Sequence, residues 1–260
     1  MNQSSMSFIS SILFSVIIGA NNPSIADTIS LRADEWCPYN CVPNSDKPGY
    51  MIEIAKKIFE AAGHQVDYQT LNWARAIEET RAAKFNGIVG ASKGDAPDFI
   101  FPMEKLGISV YAFAVRKDNS WSFTGMDSLN GKVLGVIRNY SYGDTLNAYV
   151  EANKNDQKKI QISSGDSALE INLRKLNKGR LDAVVEGLAV LTYTIGKLGL
   201  DQEVKIAGTD ATADPVFIAF TPAHPKSHEY ADLLSKGIMT LRTNGQLKEI
   251  LTKYGQNDWQ

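Results

Sequence analysis

The sequence predicts an α/β fold of two units, the second inserted into the first, and three observations carry that reading. Apolar strand-like runs alternate with amphipathic helix-like runs from residue 28 onward. The same strand–helix grammar starts again after the long apolar run 107–116. A last apolar run at 216–220 leads into helices that end the chain. Strands alternating with helices imply a largely parallel sheet with helices on its faces.

The elements follow in chain order. Residues 1–26 contain no charged side chain, and 8–20 (FISSILFSVIIGA) is a 13-residue, largely apolar stretch. Such a stretch is too short to span a bilayer but suits the core of a signal peptide. Small residues at Ser24 and Ala26 place cleavage after about Ala26, and the expected location is periplasmic. Residues 28–33 read as the first strand. Pro48-Gly49 opens a helix over 50–62, whose apolar positions 51, 52, 54, 55, 58, 59 and 62 form one stripe ended by Gly63. A strand at 65–71, a helix at 73–83 and a strand at 85–91 follow.

After the strand 107–116, Gly131-Lys132 precedes a strand at 133–137. The turn 139–143 then starts a helix running through Val150. A strand at 160–163, a helix at 168–177, a strand at 181–186 and a helix at 188–198 complete the second unit. The strand 216–220 and terminal helices over 229–254, broken near Gly245, return to the first. The predicted division is 27–114 for the first lobe, 115–217 for the inserted lobe and 218–260 for the return. The crossings fall near 113–117 and 216–220. A cleft between two lobes joined by short connections is where small molecules bind and where hinge motion is easiest.

Composition narrows the functional classes. With 27 basic and 29 acidic residues the net charge is -2, so a nucleic-acid partner is not expected. Hydrophobic residues at 43% and charged residues at 22% fit a globular protein and exclude collagen, coiled coil or disorder as the main architecture. The only cysteines, Cys37 and Cys41, lie in Trp36-Cys37-Pro38-Tyr39-Asn40-Cys41. In an exported chain this pair reads as a small disulfide more readily than as a zinc site. His64, His224 and His228 form no ligand-spaced motif with it, and neither a metal nor a cofactor is expected.

The order and spacing of several short motifs resemble the type II periplasmic solute-binding proteins of the amino-acid ABC-transporter kind, family 3. The resemblance spans about residues 29–259. It rests on Trp36-Cys37-Pro38-Tyr39, Gly49-Tyr50, Trp73-Ala74-Arg75-Ala76, Asn86-Gly87-Ile88-Val89-Gly90 and Leu129-Asn130-Gly131-Lys132. It is completed by the run 176–184 (LNKGRLDAV) and by Leu241-Arg242-Thr243-Asn244-Gly245-Gln246-Leu247. The resemblance implies a two-lobed fold, each lobe a mixed sheet flanked by helices, joined by two extended hinge segments. It implies a monomer that captures a small polar solute for the membrane permease of an ABC importer, or presents itself to a membrane receptor. Amino-acid binders of this kind carry an arginine after the third strand. Here the stretch reads Ser92-Lys93-Gly94-Asp95-Ala96-Pro97-Asp98. They also carry an aspartate ending the strand that here reads Val185-Glu186-Gly187, where glycine takes its place. Both amino-acid clamps are altered.

Candidate ligand contacts follow from strand ends and helix N-termini facing the cleft. Trp36 and Tyr39 form an aromatic platform or simply pack around the cysteine turn. Glu35 stands beside them. Trp73 and Arg75 begin the second helix. Arg75 is either a replacement carboxylate clamp or a surface partner of Glu78 or Glu79. Ser92 and Lys93 fix a polar head group, or Lys93 is a solvated loop lysine. Tyr140, Ser141 and Tyr142 precede a helix, where free N–H groups suit an anion, or they act as cap and packing. Glu186 pairs with a ligand cation or faces solvent. No His-Glu-x-x-His pair, phosphate loop or dinucleotide fingerprint is present, so catalysis is not expected. A dehydratase-type enzyme on the same scaffold, using Glu186 or Glu35, is the alternative.

Overall fold

A computed structural model describes residue 1 and residues 26–260. The apolar segment at 8–20 and all but the end of the expected signal peptide lie outside the described residues. Among the described residues no helix is long and apolar enough to cross a membrane.

Among the described residues eight strands form one sheet. In chain order they are β1 (Thr28–Ala33), β2 (Gln65–Thr70), β3 (Gly87–Ala91), β4 (Gly107–Arg116), β5 (Leu134–Ile137), β6 (Ile160–Ser163), β7 (Ala183–Gly187) and β8 (Val204–Phe220). Their spatial order is β2-β1-β3-β8-β4-β7-β5-β6. Pairs β1–β2 and β1–β3 are parallel, as are β5–β6 and β5–β7. The two long strands β4 and β8 run antiparallel to each other in the centre, with β3 antiparallel to β8 and β7 antiparallel to β4. The result is two parallel βα halves, one at each end of the sheet, spliced through a central antiparallel ladder. This is the two-lobed α/β architecture that the strand–helix alternation predicts.

Among the described residues seven α-helices cover the halves: α1 (Tyr50–Ala61), α2 (Trp73–Arg81), α3 (Asp144–Asn153), α4 (Ala168–Asn177), α5 (Leu188–Lys197), α6 (Ser227–Thr243) and α7 (Gln246–Lys253). The stripe of α1 buries Met51, Ile54, Ala55, Ile58 and Phe59 against the sheet and α6. Each fully buried aliphatic or aromatic side chain of this kind contributes about 1.5–3 kcal/mol of transfer free energy. The α1–α6 contact is so close that a Cβ on Gly237 would lie 2.5 Å from the Ile58 side chain. A larger residue at 237 would force the Ile58 side chain to move.

One element departs from the sequence reading. The run 216–220 is only the end of β8, which begins at Val204 and is 17 residues long. Its middle, 208–215 (GTDATADP), is largely exposed and polar. There the strand is held by ladder hydrogen bonds to β4 rather than by a buried face, so no apolar alternation marks it. Cys37 and Cys41 are bridged as expected, closing the turn that follows β1.

Candidate functional site

The parallel strands of both halves aim their carboxyl ends at one place, and the residues just beyond those ends build a cavity. Asp34 and Trp36 follow β1, Ser92 and Asp95 follow β3, Tyr140 and Ser141 follow β5, and Glu186 sits in the last turn of β7. Trp73 from the start of α2 and Tyr111 from β4 complete the wall. A crevice outside the carboxyl ends of sheet strands is the standard position for a ligand in an open α/β sheet. In this closed form the cavity is small, about 30 Å³, and part of it opens to solvent.

Three carboxyl groups face this space. Glu186 is 1% exposed. Its Oε1 accepts the Trp36 indole N–H at 3.0 Å and the Gly187 backbone N–H at 2.7 Å. Its Oε2 is buried and has no hydrogen-bond partner. Asp34 Oδ2 accepts the Tyr140 hydroxyl. Asp95 Oδ2 accepts the Ser92 N–H at 2.7 Å and the Ser92 hydroxyl at 2.6 Å, while Oδ1 accepts the Ser141 N–H at 3.2 Å. Every donor to these carboxyl groups is neutral. Burial is the main cause that pushes Glu186 up to about 7 and Asp34 up to about 6, and each is pushed further by the other acids. Burial also raises Asp95.

Three of these contacts join the β1–β3 half to the β5–β7 half: Trp36 with Glu186, Tyr140 with Asp34, and Ser141 with Asp95. At the rim, Lys197 on α5 bridges to Glu35 at 2.9 Å. The Trp73 and Tyr140 rings meet edge to face across the cavity, 6.4 Å between centroids. The cleft is closed, and its acidic groups line the closing surface.

The structure brings Trp36, Trp73, Ser92, Tyr140, Ser141 and Glu186 to the cavity wall. Glu35 stands at one mouth and Lys93, exposed, at the other. Tyr39 lies behind Trp36, stacked on it at 4.1 Å with its hydroxyl donating to the Ile108 carbonyl at 2.7 Å. Tyr142 is buried in the β5–β7 half, its hydroxyl accepting the Ile137 N–H at 2.8 Å. Arg75 does not reach the cavity. It is 65% exposed and donates to Glu79 Oε1 at 2.8 Å, one helical turn away. Of the two readings its spacing allows, the geometry realises the surface pair, because position 75 projects from the outer face of α2.

Asp34, Asp95 and Tyr111 escaped the sequence reading. Asp34 was signalled by its place directly after β1, and Asp95 by the loop where an arginine was sought and an acid stood instead. Tyr111 had no signal, since it lies within a continuous apolar strand. The glycine at 187 also gains a reason. A Cβ there would lie 2.8 Å from Ser109 Oγ and 3.4 Å from the Trp36 ring. Ser109 occupies the space that a side chain at 187 would need, with the Trp36 ring in contact beside it, and the acid stands one residue earlier.

The comparisons with known proteins converge on one architecture. The profile of the bacterial extracellular solute-binding proteins, family 3, matches residues 31–257. Among solved structures, a histidine kinase sensor domain with similarity to periplasmic binding proteins superposes with a TM-score of 0.73 at 22% identity, covering 87% of this chain and 95% of the other. A structure from work on glutathione import and a cystine ABC importer of Streptococcus mutans gives 0.73 at 20% identity, with 89% and 96% covered. An ancestral arginine-binding protein bound to arginine gives 0.68 at 22% identity, with 87% and 97% covered. At these identities the likeness is one of fold. Among curated proteins nothing matches.

Proposed function

The chain belongs to the bacterial extracellular solute-binding proteins, family 3, and from that premise we propose that it captures a small polar solute between two lobes for the permease of an ABC-type importer. The observation that carries this reading is the trio of hydrogen-bonded contacts closing the cleft over a buried, polar-lined cavity. Lobes that close through such contacts have an open alternative in which the same groups face water. A solute that binds the closed form preferentially shifts that population, and the membrane partner reads the change. In this reading residues 27–114 and 218–260 form one lobe and 115–217 the other, turning about β4 and β8. The chain works as a periplasmic monomer after removal of a signal peptide ending near Ala26.

A second reading is a sensory role, favoured by the fold likeness to a histidine kinase sensor domain. Presentation of the closed lobes to a membrane receptor uses the same capture step. Dehydratase chemistry on ring acids has less support, because an anionic substrate would meet three carboxyl groups and no cation among the described residues of the inner wall.

A thermal-shift panel of amines, amino acids, sugars and carboxylic acids tests capture. A solute present at 100 times its dissociation constant stabilises the protein by about 2.7 kcal/mol. Uptake of that solute in cells lacking the protein then separates the two roles. Lost uptake supports import, and unchanged uptake with a lost transcriptional response supports sensing.

A further inference from the structure

We propose that the captured solute is a small organic ammonium ion that carries no carboxylate. This inference rests on the solute-capture reading and names the chemistry of that same site. Its starting point is the unpartnered Glu186 Oε2, buried and on the wall of the cavity. A buried carboxylate oxygen without a donor is costly unless a ligand supplies one. Asp34 and Asp95 face the same space, and none of the three has a cationic partner. Among the described residues of the inner wall there is no lysine, arginine or histidine to hold an anionic group.

Four aromatic rings share the wall with these acids. Trp36, Trp73, Tyr111 and Tyr140 line the space, and aromatic faces attract alkylammonium groups through their ring quadrupoles. Inorganic cations fit poorly, since no group of three acidic, histidine or cysteine side chains among the described residues is arranged to hold a metal ion.

Charge continues outward at both mouths. On one side stand Glu35, Asp166 and Glu170, with Lys197 already paired to Glu35 and Glu170. On the other stand Asp144, Asp210 and Asp214, with Lys93 as the one cation of that mouth. The chain as a whole is close to neutral, so this acidity is local to the cleft and steers cations inward. The segment 92–98 carries Asp95 and no arginine where an amino-acid ligand would need a carboxylate clamp.

The test uses matched pairs differing by one carboxylate: putrescine against ornithine, cadaverine against lysine, and agmatine against arginine. Choline, glucose, glutamate and Ca²⁺ complete the set, and the readouts are thermal shift and isothermal titration of the purified protein at pH 8. At least one amine is expected to bind tenfold or more tightly than its amino-acid counterpart, with Glu186→Gln weakening it by tenfold or more. Asp95→Asn serves the same purpose if Glu186→Gln does not fold. Equal or tighter binding of the amino acids overturns the ammonium inference and leaves solute capture standing. The same holds if only glucose, glutamate or Ca²⁺ binds. No binding by any member of this set or of the broader panel overturns both.

Discussion

The carboxylates of this protein fall into two populations. On the outer surface, Asp27 pairs with Lys226, Asp67 with Arg32, Asp98 with Arg81 and Asp258 with Arg242. These four are held below the usual range: hydrogen bonds from the cationic partner lower Asp27 and Asp98, and the same arginine bonds outweigh burial at Asp67 and Asp258. In the cleft, Asp34, Asp95 and Glu186 receive only neutral donors, and burial pushes all three upward. These four outer acids have cationic partners, and the three cleft acids have none. A fold under selection for stability alone would not bury uncompensated acids, since each loses free energy on ionising. The contrast marks the cleft as a place completed by something from solution.

Proton linkage gives the largest expected effect. Glu186 is raised from 4.5 to about 7 and Asp34 from 3.8 to about 6 in the folded state. The folded state therefore holds more protons than the unfolded state between those limits, so stability falls as pH rises from about 4 through about 7. For Glu186 alone the loss is about 3 kcal/mol at most. The outer acids are lowered and act only below about pH 4, outside this window. Denaturant melts of the unliganded protein at pH 5 and pH 8 measure the difference, and equal stability at both would erase the contrast. Ligand affinity should run the opposite way, rising with pH as the acids ionise.

Next in size is Glu186→Gln. It should flatten much of that pH dependence while weakening binding of an ammonium probe tenfold to a hundredfold, about 1.4–2.8 kcal/mol. Isothermal titration at pH 8 reads it, and undiminished affinity would remove Glu186 from the site. A smaller change is expected outside. Arg81→Ala breaks the bond pair to Asp98, both residues being 44% exposed, and should cost below about 1 kcal/mol. The smallest belongs to Arg75→Ala. It loses one solvent-screened i,i+4 surface pair, should leave the melting curve nearly unmoved and should leave ligand affinity unchanged. A severe loss of affinity would return Arg75 to the site and overturn its placement here.

Much of the fold was legible because local patterns follow directly from burial. The stripe of α1, the boundaries of β1, β4 and β6, and the break at Gly245 were readable, each being set by apolar spacing or a glycine. The first half of β8 was not, because its strand state comes from pairing with β4 rather than from its own side chains. Within the site, Trp36, Tyr140, Ser141 and Glu186 were found from their positions at strand ends. Asp34 and Asp95 were passed over because an acid in a loop resembles any solvated acid until its neighbours are known.

What the sequence determined by itself was the alternation of elements, the cysteine turn and the family likeness. Each of these depends on residues close together in the chain or on their order along it. The tertiary structure alone decided that Arg75 turns outward to Glu79, that Ser109 crowds Gly187, and that acids at the ends of β1, β3 and β7 share one cavity. The physical reason is that a carboxyl group's character depends on water and charge within a few ångströms. Those neighbours are up to 150 positions away in the sequence, as Trp36 and Glu186 are.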